Sequence, residues 1–95
     1  MTRHRVIWKF LIGFSGITVV EAPALANVVL AALDPATGGP AIWIELDPDA
    51  PSVERRFLIM ATGQPIDGDG GYPSDLHVGS MIDRDFVWHI YERRG

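Results

Sequence analysis

"EAPALANVVLAAL", residues 21–33, decides the fold. Its alanines and leucines favour a helix, and Pro23 suits a first helical turn. Leu25, Val29 and Leu33 recur at helical spacing. The same stretch ends in "NVVLAAL", as long as a strand and bounded by turn residues. Local pattern leaves both readings open. A helix here makes the chain a mixed α+β domain, whereas a strand makes it all-β.

The flanking segments all read as strands. Upstream, "HRVIWKFLI" alternates, with Val6, Trp8, Phe10 and Ile12 on one face. "GFSG" (13–16) is a turn, and "ITVV" (17–20) is a β-branched run placed to pair back on the first strand. Downstream, "DPATGGP" (34–40) is a loop. In "AIWIEL" (41–46), Ile42, Ile44 and Leu46 oppose Trp43 and Glu45. "DPDAPS" (47–52) is a second turn. In "VERRFLIMAT" (53–62), Val53, Arg55, Phe57, Ile59 and Ala61 oppose Glu54, Arg56, Leu58, Met60 and Thr62. A long Gly/Asp loop (63–75) precedes the strands "LHVGSMI" (76–82) and "FVWHIYE" (86–92), joined at "DRD". Six to seven short strands at regular spacing predict an all-β fold, a small antiparallel sandwich or barrel.

A chain of 95 residues fits a single β domain, residues 1–95. It buries roughly 60–65 % of its unfolded surface, so its core is thin and a homo-oligomer is expected to add stability. The net charge of −4 disfavours duplex nucleic acid, whose phosphates demand a basic surface. Cysteine is absent, which excludes disulfides and thiolate metal sites. The N-terminus has basic residues, an apolar run and "ALA" before Asn27. Lys9 interrupts that run and alternation marks it as strand, so no secretion signal is expected. No uncharged segment is apolar enough for a membrane span.

Catalytic chemistry is sparse. "GFSGI" misplaces the second glycine of a nucleophile elbow. His4, His77 and His89 lack metal-ligand spacing, and the last two fall on separate strands. "DGDGG" (67–71) resembles the start of a calcium loop, but Gly71 and Val78 stand where ligands are required. Asp47 and Asp49 read as turn caps. The expectation is a protein that is not an enzyme and has no cofactor.

Two features point to binding. Arg55 and Arg56 face opposite sides of one strand, so one of them meets core, partner or ligand. An ion pair with Glu45 or Glu54 is the simpler account, and a phosphate clamp is the functional one. Trp8, Trp43 and Trp88 all lie on strands, where tryptophan serves core or interface, and an outward one offers a stacking surface. The candidate ligand-binding set is Arg55, Arg56, Trp43, Thr62, Gly63 and Gln64. The backbone N–H groups of "ATGQPIDGDGG" (61–71) would form an anion nest.

The runs "VIWKF", "AIWIELDPDAPSVERRFLIMATGQPI" and "FVWHIYE" resemble a family of small phage and prophage proteins of unknown function, abundant in actinobacteria. The "W-x-x-x-DPDAP-x-x-x-RRF" core and "TG-x-P" carry the resemblance, which spans most of the chain. Family members place a β-type segment where this chain has "NVVLAAL", which implies a strand at 27–33. Their loop reads "GTGHP", whereas here Ala61 and Gln64 replace the glycine and the histidine. The resemblance implies a phage accessory protein in the cytoplasm of an infected or lysogenic bacterial host. One expected function is sequestering a small, anionic, nucleotide-like defence signal. The other is a virion structural or decoration component, or a protein–protein interaction module.

Overall fold

The computed structural model describes residues 4–64 and 75–93. Seven strands run in order: β1 (Val6–Leu11), β2 (Ile17–Pro23), β3 (Asn27–Leu33), β4 (Pro40–Leu46), β5 (Ser52–Ala61), β6 (Asp75–Asp83) and β7 (Phe86–Arg93). All pairings are antiparallel. Three strands form one sheet in the order β1-β4-β3, and four form a second in the order β2-β5-β7-β6. The described residues contain no helix, so the fold is all-β and, of the two expected forms, a sandwich.

The ambiguous stretch resolves into two strands. Pro23 ends β2 at a sheet edge, where its missing N–H removes no ladder bond. Residues 24–26 turn, with the Ala26 amide donating to the Pro23 carbonyl. β3 then begins at Asn27, where strand was expected. Helical spacing of Leu25, Val29 and Leu33 is coincidental: Leu25 stands in the turn, fully outside the core.

One expected pairing is corrected. β2 does not fold back on β1. It pairs with β5, while β1 pairs with β4. "GFSG" is therefore a crossover between sheets rather than a hairpin. Gly16 takes φ 72° there, a left-handed conformation that glycine adopts without steric cost. Each of β1 and β2 carries an apolar inner face. Placed on opposite sheets, both faces reach the same core.

That core follows the alternation. Ile42, Ile44 and Leu46 from β4 meet Val20, Ala22, Phe57, Ile59, Met81 and Ile90 from the other sheet. The sheets come closest where β3 crosses β6. A Cβ added to Gly79 would lie 2.9 Å from the Ala31 Cβ, so only glycine permits this approach. Both of these strands carry a bulge, between Val28 and Leu30 in β3 and between His77 and Gly79 in β6. A bulge inserts one residue and reverses which face the following side chains occupy.

Candidate functional site

The two consecutive arginines divide as strand parity requires. Arg55 points inward and is 5 % exposed. Its Nε and Nη2 donate to the two carboxylate oxygens of Glu92 at 2.7 and 2.8 Å, and its Nη1 donates to the Pro23 and Ala26 carbonyls. The guanidinium lies 5.7 Å from the Phe57 ring centre. This group locks the β2–β3 turn to β5 and β7. For Arg55 the expected partner, Glu45 or Glu54, is corrected to Glu92, 37 positions later; Glu45 pairs with Arg5, and Glu54 is the partner of Arg56. Arg56 points outward, is exposed, and reaches Glu54 only at 3.9 Å.

The remaining candidate residues do not converge. Trp43 is half-buried on the outer face of the three-stranded sheet, between Lys9 and Leu30. Thr62, Gly63 and Gln64 form a turn at the end of β5, in the other sheet. Gly63 has φ 89°. The Gln64 amide donates to the Ala61 carbonyl, and the Ala61 amide donates to Gln64 Oε1. The Thr62 amide donates to the Val87 carbonyl. Three of the amides expected to form an anion nest are thus engaged in the turn itself. The calcium-loop reading of residues 67–71 lies outside the described residues.

Asp47 caps its turn as expected, accepting from the Asp49 amide at 2.9 Å. Asp34 is a second, buried turn carboxylate. It accepts from Lys9 Nζ and the Thr37 hydroxyl, both at 2.9 Å. The Lys9 hydrogen bond, helped by Thr37 and the Ala36 amide, holds its carboxyl below the ordinary 3.8, against the opposing effect of burial.

Two outward surfaces differ in composition, although the exposed Ile82 and Val87 end the second one. On the three-stranded sheet, β1 is an edge strand with apolar side chains on both faces. Ile7 and Leu11 are half-exposed on the outer face, with Leu30 across Trp43, and Trp8 is half-exposed on the inner face. On the four-stranded sheet, the outer face of β6 and β7 carries a polar row. Asp75 pairs with Arg93, His77 packs edge-on against Tyr91, and Ser80 stands opposite His89. The Ser80 hydroxyl lies 3.0 Å from His77 Nε2 and 2.8 Å from His89 Nδ1. His89 Nε2 lies 2.8 Å from the Thr62 hydroxyl.

Sequence reading missed this row. His77 and Ser80 are three apart, so strict alternation puts them on opposite faces. The bulge after His77 brings them to the same one. The signal present in the sequence was Gly79, since glycine inside a strand marks bulges and close approaches. Among the described residues no group of three or more His, Cys, Asp or Glu is placed to hold a metal ion. Nor is any helix long and apolar enough to cross a membrane.

No curated protein and no solved structure matches the chain. A family model described as a domain of unknown function, DUF7352, matches residues 3–95, and the chain belongs to that family.

Proposed function

We propose that this chain is a non-catalytic phage or prophage accessory protein that works through protein contact, with the three-stranded sheet as its contact surface. The observation that carries the reading is edge strand β1, with Ile7, Trp8 and Leu11 half-exposed across both of its faces. Among the described residues β1 pairs only with β4, so one row of its backbone groups faces outward. Edge strands are normally blunted by charge or proline, and the one charge on β1, Lys9, is drawn into its ion pair with Asp34. Here the face continues across Trp43 and Leu30 as apolar surface, which on a soluble protein marks an interaction site.

The occupant that fits is a second copy of this chain. Two β1 edges pairing antiparallel about a two-fold axis would join the three-stranded sheets into one of six strands. The thin core of a 95-residue chain gains most from such burial. This is the assembly behaviour of a structural or decoration component in the host cytoplasm.

A second reading is sequestration of a small anionic, nucleotide-like signal. A recess on the other sheet supports it: Phe14, Ile17, Leu58 and Met60 line it together with Gln64 and Arg93. Trp43 lies on the opposite sheet from this recess, so any pocket that unites them is formed between subunits.

Native mass spectrometry separates the readings. The expected result is a dimer of the 10.4 kDa chain, converted to a folded monomer of lower melting temperature by Leu11→Lys or Ile7→Lys. A wild-type monomer would refute the assembly reading. An oligomer retaining a few hundred daltons of small molecule, about the mass of a nucleotide per pocket, would move the conclusion to sequestration.

A further inference from the structure

The polar row on β6 and β7 contains a hydrogen-bond chain whose direction can be read from one fixed end. The Val87 carbonyl only accepts, so the Thr62 hydroxyl donates to it, at 3.1 Å. Thr62 therefore accepts from His89, and the proton of the neutral His89 ring sits on Nε2. The lone pair of His89 is then on Nδ1, aimed at the Ser80 hydroxyl 2.8 Å away. Ser80 donates to it and accepts from His77 Nε2 at 3.0 Å. Two imidazole nitrogens thus converge on one oxygen, from rings whose centres are 6.1 Å apart.

From this geometry we propose that His77 and His89 form a two-imidazole site for a divalent transition ion of the zinc class, with the Ser80 oxygen or water completing the coordination. Three observations favour a cation over a merely structural hydrogen bond. The first is the paired nitrogens: turning Ser80 to another rotamer, with the His77 ring proton moved from Nε2 to Nδ1, leaves the lone pairs of His89 Nδ1 and His77 Nε2 facing a common space, as an ion bound at about 2.0–2.1 Å from nitrogen requires. The second is the support behind His89. A metal-binding histidine characteristically donates its other N–H to a fixed acceptor, which sets tautomer and ring orientation. Thr62, itself anchored on the Val87 carbonyl, is that acceptor. The third is rigidity. His89 and His77 stand on neighbouring paired strands, and Tyr91 holds the His77 ring edge-on at 5.3 Å between centres. With two nitrogen ligands the site suits an ion shared with a partner surface or carried loosely, rather than a closed structural zinc centre.

The test is titration of Zn²⁺ into the full chain without any affinity tag, followed by calorimetry and by the imidazole nitrogen signals in NMR. The expected result is a shift of the His77 and His89 rings, with that of His4 unmoved. His77→Ala and His89→Ala should each weaken binding by tenfold or more, and Thr62→Val by about tenfold through the supporting contact. Melting of each metal-free variant checks that the fold persists. The inference is overturned if His4 alone responds, or if both alanine variants, still folded, bind Zn²⁺ as the wild type does. It is equally overturned if inorganic phosphate moves the two rings and Zn²⁺ does not, which would make the row an anion site.

Discussion

Both sheets leave apolar side chains exposed, Ile82 and Phe86 on the four-stranded sheet as well as Ile7 and Leu11 on the three-stranded one, but the four-stranded sheet also holds a buried ion pair and a row of linked polar side chains. In the four-stranded sheet, Arg55 holds Glu92 in the core and Ser80 links two histidines outside. In the three-stranded sheet, Ile7, Trp8, Leu11 and Leu30 stand half in solvent. The difference teaches where each sheet draws its stability. One depends on specific hydrogen-bonded partners, and truncating a partner should unfold it. The other depends on area, and its exposed residues should matter to association more than to folding.

The largest effect should come from splitting the buried pair. Arg55→Met or Glu92→Gln leaves a partner uncompensated in the core and should cost about 3–5 kcal/mol in urea unfolding. The double change to Met at both positions should recover much of that loss. If each single change cost less than about 1 kcal/mol, the contrast between the sheets would fail, since exposed pairs already reach that value.

The seam between the sheets comes next. Gly79→Ala places a methyl against Ala31 and should destabilise by about 1–3 kcal/mol, as overpacking does. Ala31→Gly should relieve it. Thermal unfolding of the single and paired variants is the measurement, and an absence of rescue would place the cost in the bulge rather than in the contact.

Acid probes a polar device of the three-stranded sheet, the buried Asp34 with Lys9. The Asp34 carboxyl is held below its ordinary 3.8 in the folded chain. The unfolded chain therefore takes up this proton more readily. Asp34 contributes stability fully above the ordinary value, and loses it as pH falls through that value towards the folded one. Stability against pH should slope downward there, and Asp34→Asn should flatten the slope. An unchanged slope in the variant would assign acid sensitivity to other carboxylates.

Arg56→Ala should do least. Its contact with Glu54 is long and exposed, so the change should stay within about 0.5 kcal/mol. Set beside Arg55, it measures how one step along a strand separates structure from surface.

Much of the architecture was legible in the chain. Alternation located six of the strands and set Ile42, Ile44 and Leu46 on one face, which the fold turns to the core. Resemblance to known proteins, rather than local pattern, was needed to choose strand for residues 27–33. The candidate site was less legible. Alternation required one of the two arginines to face inward but could not say which, or to what partner. It also scattered His77, Ser80 and His89, which the fold gathers.

By itself the sequence determined six strands, because side-chain periodicity is a local property written residue by residue, and left residues 21–33 open. It also determined that Arg55 and Arg56 must part company, since strand neighbours point to opposite faces. Only the tertiary structure decided that β2 joins β5 rather than β1, that Glu92 receives Arg55, and that a bulge unites the histidines. Pairing is a choice among distant strands with similar apolar faces, settled by which arrangement closes one shared core. A bulge breaks the very periodicity from which faces are read.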